Sequence, residues 1–286
     1  MKYNLCTISF RHELVSFDHL IDFAGKAGFS GIELWGVHAR ALIDVSAAQT
    51  NPWIAKMKAQ DLQIPMISDY VNLLDEEMQS GVLEGKVAEW LMLTKKFETK
   101  YIRIFAGHRG SGQVNEGEWR LCISRLGRLA ELMELCGLVL VIETHPDTLA
   151  DTLDSTLRLI HEVNHKALQI NLDFLHMWEG GTDPVEAYQA LKPWVAHFHM
   201  KNVSSKERLG QFSPDNVYSP SGSRDGMVPL GEGVVDYTRI ISCLDEDEMK
   251  CTASIEWFGP QPFQYLSAEM DWIRTVSGRT SFEVSG

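Results

Sequence analysis

The chain has 286 residues, 44% of them hydrophobic, and a formal net charge of −13. Its length suits one large domain or two small ones, with an ordinary share of core-forming residues. Acidic residues are spread widely and no Lys/Arg-rich run offsets them, which argues against a nucleic-acid partner, whose phosphates need a basic footprint.

No apolar run is long enough for a membrane span. The opening MKYNLCTISF has no small-residue cleavage site, so no signal peptide is read there. Cys6, Cys122, Cys136, Cys243 and Cys251 are odd in number and without CxxC spacing. They predict reduced thiols and a cytoplasmic setting.

Short apolar runs alternate with longer amphipathic ones from the first residue onward. Tyr3–Phe10 reads as a strand, followed by a helix over Ser16–Gly28 with Ser16 as N-cap and Gly28 as the stop. Gly31–Gly36 is the second strand and Pro52–Leu62 the second helix. Ile64–Tyr70, Tyr101–Gly107 and Leu138–His145 follow as strands, with helices over Val82–Thr99, Trp119–Gly137 and Asp154–Val163. Leu168–Phe174 and Val195–Asn202 are strands six and seven, separated by a short helix over Pro184–Leu191 that opens on proline. A Gly/Ser/Pro-rich loop, Val203–Glu232, precedes a helix over Asp236–Leu244, strand eight at Thr252–Phe258 and a last helix over Phe263–Val276. Eight βα units in a chain of this size predict an α/β fold, a (β/α)8 TIM barrel forming one domain over residues 1–286. No G-x-G-x-x-G follows a strand and there is no Walker A motif, so a phosphate cradle finds no support.

In such a barrel the C-terminal strand ends share one rim, where the chemistry sits. Glu143, Asp173, His199 and Glu256 come from strands five to eight and form a candidate metal site. Three carboxylates and one imidazole suit Mn²⁺ first, with Mg²⁺ or Co²⁺ as alternatives and Zn²⁺ by availability. In a strand Glu143 and His145 would point the same way, with Thr144 opposite. His176 follows Asp173 closely enough to orient a ligand or touch substrate, whereas His197 would lie deeper, as a core or supporting residue. Arg103, inside an apolar strand, needs an anionic partner: a substrate carboxylate, or equally a carboxylate of a neighbouring strand. Lys201 and Tyr70 complete the candidate substrate contacts. Trp35, Phe105, Trp178 and Trp257 offer an apolar lining, though each could equally be core. The loop Val203–Glu232 is either a lid or an arm to a neighbouring subunit.

The strand-end set resembles the xylose-isomerase-like barrel superfamily. More narrowly, CTISFRHELVSF, GIELWGVHA, MISDY, IRIFAG, ETHPDTLADTL, INLDFLHMWEGGTDPV, HFHMKNVSS, NVYSPSGSRDGMVPL and SIEWFG resemble the metal-dependent 3-dehydroshikimate dehydratases of petrobactin-type catecholate siderophore biosynthesis. The likeness runs from the first strand to the last and includes loop residues. It implies a lyase that converts 3-dehydroshikimate to 3,4-dihydroxybenzoate (protocatechuate) with loss of water. It also implies His145 as base, with His176 or a metal-bound group helping the hydroxyl depart, Glu143 counted among the catalytic residues, and Arg103, Tyr70 and Lys201 holding the substrate. An imidazole base would work near neutral pH. The chain could pair as a homodimer.

The nearest competing reading is a sugar or keto-acid isomerase or epimerase on the same barrel. Its substrates are mostly neutral polyols, which leave Arg103 and Lys201 with less to do. An endonuclease IV-type enzyme would need an Asp-x-His pair, which occurs nowhere in the sequence. The intact four-ligand set argues against a non-catalytic binding barrel.

Overall fold

The computed structural model describes residues 1–75, 77–78 and 80–278. Seven parallel strands follow one another around a ring: β1 (Lys2–Cys6), β2 (Gly31–Trp35), β3 (Ile67–Ser68), β4 (Tyr101–Ile104), β5 (Val139–Glu143), β6 (Leu168–Asp173) and β7 (Val195–Met200). A small antiparallel pair, β8 (Asn202–Val203) with β9 (Met227–Val228), stands apart. The eighth barrel strand, β10 (Thr252–Ile255), closes the ring between β7 and β1, pairing Lys2 with Thr252 and Leu5 with Ile255. The expected (β/α)8 barrel is therefore what forms, and the expected domain's final residues, 279–286, lie outside the described ones.

Period-2 alternation divides each strand between two surroundings. Ile102, Ile104, Leu140, Ile142, Ile170, Leu172 and Phe198 belong to the hydrophobic core shared with the helices. The alternate positions Glu33, Ser68, Arg103, Glu143, Asn171, Asp173, His197, His199 and Ser254 are all buried and polar. A barrel lumen filled with charge instead of branched apolar side chains must satisfy those groups by mutual pairing or a bound ion.

Local signals set most helix ends. Ser16 accepts the His19 N–H, and Gly28 ends that helix at φ 82°, a left-handed conformation that glycine adopts without strain. Asn115 with Glu118, and Thr152 with Ser155, form capping boxes. Several expected boundaries move. The first strand ends at Cys6, and Thr7–Phe10 forms a 3-10 turn across the barrel mouth, because the Thr7 and Ser9 hydroxyls accept the N–H groups of Trp35 and Trp257. The helix expected from Pro52 begins at Ala47. Short helices over Gly36–Ala41 and Phe174–Glu179 had no counterpart in the sequence reading. At Gly36 a Cβ would stand 2.9 Å from the Ser68 carbonyl oxygen, so the first of these helices can approach β3 only with glycine there.

Candidate active site

Glu143 and Asp173 are the last residues of β5 and β6, His199 is the penultimate residue of β7 and its last inward position, and Glu256 follows β10 directly. Register places Asp173 beside His199, and His199 beside Ser254. One ligand atom from each of Glu143, Asp173, His199 and Glu256 lies within 4.8 Å of all the others, and all four residues are buried. Asp173 also caps the short helix after β6, its Oδ1 accepting the His176 N–H at 3.1 Å. The strand end and the helix start thus fix one carboxylate from two sides.

The electrostatics of this cluster call for a cation. Four buried carboxylates (Glu33, Glu143, Asp173, Glu256) face two fixed cations, Arg103 and Lys201. With His199 neutral, as a ligand must be, the remaining charge of −2 is that of a divalent ion, and the oxygen-rich donor set with one nitrogen fits such an ion. Burial pulls the His199 imidazole down, but Glu256, Glu33 and Glu143 outweigh it and hold His199 well above its ordinary value. Burial likewise pushes the Glu143 carboxyl up, against Arg103 and His199, which hold it well below the usual range. The pocket therefore stabilises positive charge at its centre.

Arg103 and Lys201 lie closer to the ligand set than the sequence indicates. Arg103 Nε approaches Glu143 Oε2 to 2.8 Å as an ion pair without hydrogen-bond alignment, and its Nη1 has no hydrogen-bond partner. The inter-strand ion pair foreseen as one option is thus present, while the guanidinium still lines the cavity over the Tyr70 and Phe105 rings. Lys201 Nζ donates to Asp173 Oδ2 at 2.5 Å and Glu256 Oε2 at 2.6 Å.

His145 lies two residues beyond the end of β5, in a loop where its N–H bonds the Ala150 carbonyl, so the strand predicted through it stops short. Its ring nevertheless lines the same cavity as Glu143, 4.3 Å from the His176 ring. Nδ1 stands 2.7 Å from the Pro146 carbonyl oxygen, which can only accept, so Nδ1 carries the proton and Nε2 the lone pair. Burial, then His176, pulls His145 down to about 3, well below the near-neutral value expected of it. His176 Nδ1 is 3.0 Å from Glu179 Oε2, and its buried Nε2 has no hydrogen-bond partner. Tyr70 accepts the Trp35 indole N–H at 3.1 Å, and burial raises its phenol far above the ordinary value, so it stays protonated.

The cavity bounded by these groups is narrow, about 40 Å³. Its cover is Phe212, Pro214, Val217 and Tyr218, from the segment read as a lid or an arm. Here the chain's own loop lies over the site. Tyr218 stacks on Trp35 at 5.8 Å and donates to the Tyr70 hydroxyl at 3.1 Å. Of the proposed apolar lining, Phe105 borders the cavity and Trp35 supports it. Trp178 does not line it, and Trp257 stacks on Tyr265 and bonds the Pro260 carbonyl. Asp69, another rim residue, is taken up by Arg40 and the Trp90 indole. A larger opening, about 580 Å³, lies at the opposite mouth near Gln63, Lys100, Gln169 and Lys250. Its one imidazole, His197, is occupied by Ser254 and Thr252, so the convergent chemistry belongs to the C-terminal mouth.

Sequence reasoning missed Glu33, Glu179 and Tyr218. Glu33 had a signal: it is the one charged residue in Gly31–Trp35 and occupies an alternating inward position. Tyr218, in an irregular loop, carried no periodic signal.

A closed parallel barrel with a carboxylate–histidine cluster at its C-terminal mouth defines a class, and the chain belongs to the xylose isomerase-like TIM barrel family, which matches residues 21–276. Within that class it is 45% identical over 272 residues to 3-dehydroshikimate dehydratase of Bacillus anthracis, covering 94% of this chain and 95% of the relative. The crystal structure of the probable 3-DHS dehydratase AsbF, involved in petrobactin synthesis in Bacillus anthracis, superposes with a TM-score of 0.89 at 45% identity, covering 95% of this chain and 98% of that one. The IolI protein, solved with a bound zinc atom, shares the fold at a TM-score of 0.74 and 16% identity, covering 98% and 99%.

Proposed function

We propose that this chain is a 3-dehydroshikimate dehydratase, a lyase releasing water and 3,4-dihydroxybenzoate, with a divalent ion, Mn²⁺ first, at Glu143, Asp173, His199 and Glu256. The observation that carries the reading is the meeting of two features in one cavity. A buried cluster of four carboxylates, Glu33 among them, that exceeds its two fixed cations by two charges stands beside an imidazole whose Nε2 is unprotonated. The 45% identity to a protein of that name selects the substrate.

A divalent ion held there supplies Lewis acidity that lowers the cost of negative charge on a ketone oxygen. His145, neutral and with Nε2 unprotonated, accepts the proton from the carbon beside the ketone. Arg103, with Nη1 unpartnered, binds an anionic oxygen of the substrate. Tyr70, a phenol throughout the working range, donates to a ring oxygen. His176, whose ring lies 4.3 Å from that of His145, would serve to protonate the departing hydroxyl. One C–H and one C–O bond break, water leaves, and aromatisation of the ring makes the step downhill. Lys201 holds the Asp173 and Glu256 carboxylates and borders the substrate space.

The five cysteines are all free thiols, which supports a reducing, cytoplasmic setting. Among the described residues no helix is long and apolar enough to cross a membrane. The test is chelator-stripped protein with 3-dehydroshikimate, with and without Mn²⁺, followed by ultraviolet absorbance. Metal-dependent growth of the aromatic band supports the reading. No aromatic product from metal-loaded protein overturns it and turns attention to ketose isomerisation.

A further inference from the structure

We propose that Glu33 is a positioning residue for the metal site. It reaches across the barrel from β2 and pins the proton of His199 on Nε2, so that Nδ1 faces the three ligand carboxylates as a lone-pair donor. The inference rests on the metal reading above and assigns a role to a residue outside the four-ligand set.

The geometry is two-sided. His199 Nε2 stands 3.1 Å from both oxygens of Glu33, while Nδ1 stands 3.2 Å from Glu143 Oε1 and 3.5 Å from Glu256 Oε1. An ionised carboxylate only accepts, so the nitrogen between the two Glu33 oxygens must carry hydrogen. Nδ1 also faces carboxylates, but these belong to the proposed ligand set. An ion among them would replace any hydrogen on Nδ1 and take its lone pair, while nothing separates Nε2 from Glu33. The opposite tautomer would set a lone pair against two carboxylate oxygens and leave no donor nitrogen for the ion. Carboxylates behind ligating histidines act in this way, fixing the ring and raising its basicity.

Glu33 is itself held from several directions. Fully buried, it accepts a hydrogen bond from the Ser68 hydroxyl on Oε1, and its Oε2 lies 3.3 Å from His197 Nε2. His197 is anchored in turn by Ser254 and Thr252, each at 2.8 Å. These contacts make Glu33 a rigid backstop. They also argue against Glu33, His197 and His199 forming a second metal site, although the three lie close enough to suggest one. Both ring nitrogens of His197 already have hydroxyl partners, and His199 would have to ligate through both of its own.

The test uses the full chain, stripped with chelator and titrated with Mn²⁺ by calorimetry, and loaded with Zn²⁺ for long-range ¹H–¹⁵N NMR of the histidine rings. The expected results for the wild type are one ion per chain and a His199 ring protonated on Nε2. Glu33→Gln presents an amide N–H that favours the wrong tautomer and is expected to weaken Mn²⁺ binding roughly 10–100-fold. Ser68→Ala loosens the same carboxylate without introducing a donor and is expected to weaken binding less. Unchanged Mn²⁺ affinity in folded Glu33→Gln, two ions per chain, or a proton on Nδ1 of Zn²⁺-loaded wild type would each overturn the proposal. The last two outcomes need no variant. A wild-type chain that takes up no metal is the separate failure of the metal reading itself.

Discussion

A charge at the barrel centre is governed by its nearest partners, and single residues are the sharpest probes. His145 has its Nδ1 committed to a backbone carbonyl and is not among the ligand cluster, so proton transfer and metal binding should separate. His145→Ala is expected to lower kcat by roughly 10²–10⁴-fold while leaving Mn²⁺ affinity within a few-fold, read by steady-state kinetics and calorimetry. Lys201 should behave differently. Removing it strands Asp173 and Glu256, buried carboxylates that it holds together. Lys201→Met is expected to cost about 3–5 kcal/mol in chelator, seen as a lower urea midpoint, with Mn²⁺ restoring part of the loss. A Lys201→Met variant as stable as wild type in chelator would mean that the carboxylates find other partners.

Between elements, the loop over the cavity is the informative part. Arg11 ties it down, its Nε donating to the Val217 carbonyl at 2.6 Å and Nη2 to the Phe258 carbonyl at 2.8 Å. Glu269, on the helix Pro262–Val276, accepts the Leu230 N–H at 2.9 Å through Oε1, while its Oε2 is buried without a partner. Burial, with a contribution from Glu232, pushes the Glu269 carboxyl up to about 7. Between the usual carboxylate value and pH 7 the folded chain therefore keeps a proton that the unfolded chain has released. Stability falls as pH rises through that window, by about 3 kcal/mol at most. Glu269→Gln keeps an acceptor for Leu230 without the charge. It should raise Tm at pH 8 and leave it nearly unchanged at pH 5, as thermal melts at the two values would show; an equal change at both would assign the effect to packing.

Across the whole molecule, β1 and β10 join the two ends of the chain, so the barrel forms only when distant segments meet. The site is assembled from β2, β5, β6, β7 and the residue after β10, and an ion held there bridges elements that local structure leaves independent. Mn²⁺ at a hundredfold excess over its Kd should add about 2.7 kcal/mol to stability. By the usual size scaling this is a Tm gain of roughly 5–10 °C, lost in Glu143→Gln, which calorimetric scans with and without chelator would detect.

The order of strands and helices, and the meeting of Glu143, Asp173, His199 and Glu256 at one barrel mouth with His145 beside them, were legible because each is a local pattern. Period-2 alternation, glycine and N-cap punctuation, and a polar residue closing an apolar run need only neighbours in sequence. Boundaries slipped where tertiary hydrogen bonds intervened, as at Thr7 and Ser9, whose hydroxyls bind the backbone of other segments. Glu33 on His199, Lys201 on Asp173 and Glu256, and Tyr218 over Tyr70 were decided only by closure of the ring and folding-over of the loop. Those contacts depend on stagger between strands and on where a long connection comes to rest, and no spacing along the chain encodes either.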